Sequence, residues 1–486
     1  MRKKRPVFES CGVKRQENST SNQVTRPSRR RMLQGCLASA GSGLWGGVAA
    51  GRPAQAKAPA AVAVSGRLDM TVRKVERIYL HVPFRERPGR HMHRNHTSNW
   101  AYVEIIKLTL GCGVVGIGEN IQYFNDDYLP DRVVLGRNAA ELMWNDALGF
   151  GFQQALLDAV ARANDVPVYR LLGEKIRERA FISWWAVDMP GEQWAQECQL
   201  AIEQGYTAFK TKARPWFDLE EQCEILSRNL PAYFKVGVDF NGMLLDSARA
   251  VRYCQKLEKY DFLSNFETPI PQNDIRGNKT LRRSTRIPIA MHYGNPPIMT
   301  ALREEICDIL ILNQGASETI RQASVAAAAK KPFWLQHSGT QVTAFFDLHL
   351  AAVLSHARLP AVNVHQIYAH PLVKSPLQVE NGLARIPDSP GMGTELDEDA
   401  IERLRTQRIR QAPDWPKMLL AIRWPAGGSS YYRSEMQYRH EFSAGRLPLF
   451  PAGIYLEDIP DDGSSDWADL HRRTQTGGVH TGGRPM

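Results

Sequence analysis

The sequence predicts an α/β protein built around a closed, parallel (β/α)8 barrel. Three observations point there. Short apolar runs begin near Phe181, Phe209, Phe234, Leu263, Ile287, Ile309, Phe333 and Val362. Helical patterns separate most of them, for example Glu192–Gln204, Leu219–Asn229, Ser247–Lys259 and Glu318–Ala329. Polar residues also recur at the ends of successive runs: Lys212, Asp239 and Glu267 are 27 and 28 residues apart, about one strand-loop-helix-loop unit. Strands alternating with helices give a parallel sheet, and eight such units close it into a barrel whose strand ends share one catalytic face.

Before the barrel, residues 1–56 carry 11 Lys+Arg against 2 Asp+Glu, leaving 50 basic and 49 acidic residues for the remainder. The overall charge of +10 is therefore a property of the leader, and the rest shows no polyanion-binding signature, so no nucleic-acid partner is expected. Ser28-Arg29-Arg30-Arg31-Met32-Leu33, a Gly/Ala-rich run from Cys36 to Ala50, and Ala54-Gln55-Ala56 together read as a twin-arginine signal peptide with its cleavage site. The expectation is a protein exported folded, periplasmic or extracytoplasmic, with no integral membrane segment in its mature form. Five cysteines lie beyond the leader without metal-type spacing; Cys198, Cys223 and Cys254, in helical patterns, read as small buried hydrophobes.

From about Met70, Val72–Leu80 alternates like a strand, and Trp100–Leu110 does so again. Between them the basic stretch 85–99, with Arg85, Arg87, Arg90, Arg94, His91, His93 and His96, reads as a solvated lid suited to an anionic small molecule. Arg90, His91 and His93 are its candidate substrate-binding residues, joined by Asn241 beyond Asp239. Residues 138–173 are helical in pattern and stop at Leu171-Leu172-Gly173. After about 370 the barrel pattern ends. Residues 411–473 read as an appended aromatic segment packing on the main body, and 474–486 as a disordered, Gly-rich tail.

Asp239 and Glu267 are hard oxygen ligands suited to Mg²⁺. A cation on a substrate carboxylate would stabilise the charge that appears when the neighbouring carbon loses its proton. Lys212 is the candidate base, with Lys210 helping to lower its pKa. His337, closing the seventh run in Gln336-His337-Ser338, is a second base or the acid that expels a leaving group. Taken singly, each residue has an ordinary reading as a turn, a strand end or a structural histidine. The onward steps of 25 to His292, 21 to Asn313 and 24 to His337 argue for them collectively.

These residues resemble the enolase superfamily, close to the mandelate racemase and muconate lactonizing enzyme group, over roughly 70–408. The likeness is carried by Gly113-Val114-Val115-Gly116-Ile117-Gly118-Glu119, Ala155-Leu156-Leu157-Asp158 through Leu172-Gly173, Lys210-Thr211-Lys212, Asp239 with Asn241, Glu267 before Thr-Pro, and Pro390-Gly391-Met392-Gly393. It implies a modified (β/α)8 TIM barrel over 174–370. An α+β capping domain would be formed from 70–173 and the post-barrel return 371–410. It also implies Lys212 as base, a homo-oligomer, a small anionic carboxylate substrate, and a divalent metal, Mg²⁺ foremost.

The departures matter equally. The fifth run, Ile287–Asn295, offers no third carboxylate. His292 through nitrogen, or Asn295 through its amide, would have to replace it, and His292 would tilt preference towards Mn²⁺, Fe²⁺ or Zn²⁺. Asn313 stands where racemase-type members carry the aspartate that orients the catalytic histidine, and Thr340–Phe346 holds no acid. The expected function is metal-dependent proton abstraction α to a carboxylate, giving dehydration or epimerisation of an acid such as an acid sugar. The alternative is a catalytically degenerate barrel acting as a binding or structural protein. A sugar hydrolase fits less well, because it needs two carboxylates free of a metal.

Overall fold

The computed structural model describes residues 68–92, 98–121, 130–409 and 417–482. The leader and His93 lie outside the described residues. Among the described residues, no helix is long and apolar enough to cross a membrane.

An antiparallel sheet of Val72–His81, Tyr102–Leu110 and Val115–Ile121 opens the described chain. Its inner face packs on the helix Phe150–Ala163, which is buried on nearly all sides. That closeness requires glycine. A Cβ on Gly116 would lie 2.1 Å from the Ala155 carbonyl oxygen, and one on Gly118 would lie 2.0 Å from that of Gly151. Asp158 of the same helix accepts from Ile117 N (2.9 Å) and from Met392 N (2.7 Å). It thereby ties the post-barrel Gly-Met-Gly segment back to this layer. The helix Glu398–Leu404 returns there too, with Lys107 Nζ 2.6 Å from Glu398.

The barrel is a seven-stranded parallel sheet in chain order: Trp184–Trp185, Ala208–Lys212, Lys235–Asp239, Leu263–Glu267, Ile289–His292, Ile309–Leu312 and Phe333–Leu335. The eighth run contributes only a bridge. Val362 N donates to Leu335 O (2.9 Å) and Ser183 N to Ala361 O (2.9 Å), joining the seventh strand to the first. The run at Phe181 differs from expectation: Arg179–Phe181 pairs antiparallel with Leu383–Arg385 outside the barrel, and the first barrel strand starts later, at Trp184. Outward apolar residues such as Phe209, Val238 and Phe266 meet the helices, while alternate positions turn inward with the period of two that strands impose.

Beyond the return, Met418–Arg423, Ser429–Tyr432, Tyr455–Pro460 and Val479–Thr481 form a four-stranded antiparallel sheet, with helices Glu435–Ser443 and Ser465–Arg473. The tail read as disordered is ordered at its start, because Val479–Thr481 pairs with Ser429–Tyr431. This unit grips the loops that follow the second and third barrel strands. Tyr438 stacks edge-on against Trp216 and donates to Pro215 O (3.2 Å), Gly453 N donates to Asp218 (2.8 Å), and Phe450 packs between Phe240 and Tyr253.

Candidate active site

Strand register alone brings the central residues together. Lys212 is paired with Asp239, and Asp239 with Glu267, at the carboxyl ends of three adjacent strands. Asp239 and Glu267 are fully buried, so each requires compensation. Lys212 supplies it to Asp239 and Lys210 to Glu267, both in direct ion-pair contact. Lys210 also lies 4.0 Å from Asp239, donates to Gln336 Oε1 (2.7 Å) and sits over the Trp334 ring. Burial lowers the Lys212 pKa; Asp239 opposes that shift and Lys210 adds to it. Burial alone would raise Glu267, but Lys210, His292 and Lys212 together outweigh it and hold the carboxyl below its usual range.

Asn241 takes a left-handed conformation (φ 48°) in the turn after Asp239. Its backbone N and side-chain Nδ2 both donate to Asp239, at 2.8 and 3.1 Å. Its Oδ1 accepts from Lys212 (3.3 Å) and from Arg214 (2.9 Å). Arg214 was missed in the sequence, although Lys210-Thr211-Lys212-Ala213-Arg214 carries a cation at every second position. It is buried, 4.0 Å from Asp188, which also accepts from Trp216 (2.9 Å). Gln336 was passed over for its neighbour His337.

His292 joins the cluster, with Nε2 3.2 Å from Glu267 Oε1. Gln272 holds the end of that strand by accepting from His292 N (3.0 Å). Asn295 offers its backbone carbonyl to the same glutamine.

The expected His337–Asn313 pair does not form. Asn313 is exposed and accepts from Gln314 (3.2 Å). His337 turns away from the lysines: Nδ1 donates to Asp347 (2.6 Å), Nε2 donates to Gln314 O (2.9 Å), and the ring stacks on Phe150. Burial opposes its charge, but Asp347 and the carbonyl prevail and raise its pKa. Asp347, on the helix Gln341–Val353, is thus the carboxylate that orients His337, in place of Asn313.

Nor do the basic residues of 85–91 form an open lid for an anion. Arg85 and Arg87 both bind the fully buried Glu197, each at 2.7 Å. Arg90 pairs with Glu86 on its own helix, and His91 is buried 2.6 Å from Gln193. A carboxylate with no solvent access draws Arg85 and Arg87 onto the helix Gly191–Glu203 instead. A cavity of 860 Å³ lined by Trp184, Tyr206, His365 and Gln366 opens nearby and includes none of the lysine–carboxylate cluster.

Residues 193–400 match the family described as enolase C-terminal domain-like. Over those residues the barrel is similar to enolase-superfamily members. Curated relatives include an arabinonate dehydratase of Saccharolobus solfataricus, 23% identical over 270 residues, covering 52% of this chain and 71% of that protein. Another is a muconate cycloisomerase of Pseudomonas putida, 27% identical over 270 residues, covering 52% and 70%. Among solved structures, a muconate cycloisomerase from Pseudomonas fluorescens superposes with a TM-score of 0.59 at 20% identity, covering 70% of this chain and 99% of that one.

Enolase-superfamily members use a divalent metal, usually Mg²⁺. The donor set of this barrel does not fit one. Both carboxylates are closed by ammonium groups, Asp239 also by Asn241, and the third position is an imidazole. Among the described residues, no group of three His, Cys, Asp or Glu is placed to hold a metal.

Proposed function

We propose that this barrel abstracts the proton α to the carboxylate of a small organic acid, such as an acid sugar, with Lys212 as the base. The observation that carries the reading is the register placing Lys212 beside Asp239 and Glu267 at adjacent strand ends. Acid-sugar dehydratases and muconate cycloisomerases among the relatives support the reaction class. Burial keeps Lys212 below the ordinary lysine range, which a proton acceptor near neutral pH requires. Lys210 and Arg214 supply fixed positive potential where charge builds on the substrate carboxylate. No step runs through a divalent ion.

With His337 locked to Asp347, one base serves one face of the substrate. That favours dehydration, in which the Lys212 ammonium returns its proton to a departing hydroxyl on the same side. Two-base epimerisation would need an opposing acid that these contacts do not provide. The test is to incubate the protein with a panel of acid-sugar carboxylates in D₂O and follow α-proton exchange and loss of water. Exchange that persists in Lys212→Ala would sink the assignment.

A second reading, a barrel that binds such acids without turning them over, draws on the same ion pairs, since each lysine is held by a carboxylate. Saturable binding without exchange would favour it. The leader would place either activity outside the cytoplasm, which fractionation of cells expressing the full chain would check against an Arg29→Lys/Arg30→Lys variant.

A further inference from the structure

In a barrel of this kind, two carboxylates on adjacent strands face a shared cation. Here that place is taken from within the chain. We infer that Lys210 is the resident cation of the barrel mouth, standing between Glu267 and Asp239 where a divalent ion would bridge them, so that the site holds no resident metal.

Four observations carry this. Lys210 contacts Glu267 and lies 4.0 Å from Asp239, while its own position is fixed from the far side by Gln336 Oε1 at 2.7 Å and by the Trp334 face. Trp334 Nε1 donates to the same Gln336 oxygen (3.0 Å), so the amide that holds the ammonium is itself held. Lys210 is therefore anchored by neutral groups independent of the carboxylates.

Asp239, next, has few lone pairs left. Asn241 donates to both of its oxygens, and Lys212 contacts one of them. Third, the fifth strand ends in His292, whose imidazole already meets Glu267 at 3.2 Å. Mg²⁺ takes hard oxygen donors and is poorly served by two engaged carboxylates and a nitrogen.

Last is charge. Lys210, Lys212 and Arg214 stand against Asp188, Asp239 and Glu267, so the buried cluster is balanced as it stands. A dication would add two uncompensated charges where the carboxylates are fully buried and desolvation is costly. Displacing Lys210 to admit it would leave a buried ammonium without a carboxylate.

The inference is independent of whether the barrel abstracts a proton, and its test uses no substrate. Full-length protein stripped with chelator is titrated with Mn²⁺, and free Mn²⁺ is read by electron paramagnetic resonance. Wild-type protein should leave Mn²⁺ free. Lys210→Met releases the pair of carboxylates and should raise Mn²⁺ affinity about tenfold or more. That gain should vanish when Asp239→Asn is added. One Mn²⁺ bound tightly per wild-type chain and lost in Glu267→Gln would overturn the inference, as would a folded Lys210→Met with no gain. Should the methionine variant not fold, Lys210→Gln, which can keep a bond to Gln336, takes its place under the same criteria. The wild-type titration stands without either.

Discussion

His337 and Asp347 form a buried ion pair, Nδ1 to Oδ1 at 2.6 Å, which fixes the end of the seventh barrel strand to the helix that follows. Asn363 holds the other carboxylate oxygen at 2.6 Å, and Gln314 O takes the second imidazole N–H. Removing one partner leaves an uncompensated charge in the interior, so Asp347→Asn should cost about 3–5 kcal/mol of stability. The pair also sets a pH dependence. The folded His337 pKa is raised, so the stability it contributes is fully present below the ordinary histidine value of 6.5 and is lost as pH rises through the folded value. Urea midpoints measured from acid to alkaline pH should show that loss in the wild type. His337→Gln should not show it.

Lys212 titrates in the opposite sense for activity. Its neutral form is the base, so α-proton exchange should rise with pH along a limb set by a pKa below the ordinary 10.5. Among the charges acting on it, Lys210 lowers that value and Asp239 raises it. Lys210→Gln should therefore move the limb to higher pH, and Asp239→Asn to lower pH. pH–rate profiles of the two variants against wild type check both signs. A limb unmoved in both variants would argue that another group is the base.

The lysine–carboxylate constellation was legible because it depends on strand order and spacing, which a run of apolar segments preserves. Lys212, Asp239 and Glu267 needed only the correct parity to meet, and His292 followed by the same counting. His337 lacks that parity: Trp334 and Gln336 carry the face turned to Lys210, and His337, one position on, meets Asp347 instead. Its partner lies ten residues on, along a helix, and a three-dimensional contact of that kind leaves no periodic mark. Arg85 and Arg87 misled for a related reason: a basic run looks solvated until a buried acid, here Glu197, is placed beneath it. Arg214 carried a readable signal, the alternation of cations after Lys210, that was not followed past the strand end. The order in the tail could not be read at all, since Val479–Thr481 gains its structure from pairing with a strand some fifty residues earlier.

The appended unit should behave as part of the barrel rim. Phe450 is buried between Phe240 and Tyr253, and Phe450→Ala should cost about 3–5 kcal/mol. Asp218 does two jobs. One oxygen caps the helix Leu219–Asn229 through Glu220 N and Glu221 N, and the other holds Gly453 N. Asp218→Asn keeps an oxygen for the cap and weakens the second contact, whereas Asp218→Ala loses both and should cost about 1 kcal/mol more through the cap alone. Limited proteolysis should cut both Phe450→Ala and Asp218→Ala within 417–482 faster than wild type. Equal cleavage rates would show that the unit is held elsewhere.

Gly118 and Gly113, five residues apart, separate steric from conformational demands for glycine. At Gly113 the backbone is left-handed (φ 85°) and nothing lies within 4 Å of an added Cβ. Gly113→Ala should therefore cost only the backbone term, about 1–2 kcal/mol. At Gly118 an added Cβ meets the Gly151 carbonyl oxygen at 2.0 Å and Ala155 N at 2.8 Å. Both are backbone atoms of a helix that cannot give way by rotating a side chain. Relief requires the helix Phe150–Ala163 to move off its sheet, and Asp158 on that helix would then lose Ile117 N and Met392 N together. Gly118→Ala should cost roughly 3 kcal/mol or more, the upper end for overpacking. Thermal unfolding of the two variants side by side reads the difference. A Gly118→Ala midpoint no lower than that of Gly113→Ala would mean that the helix is not pinned where Asp158 holds it.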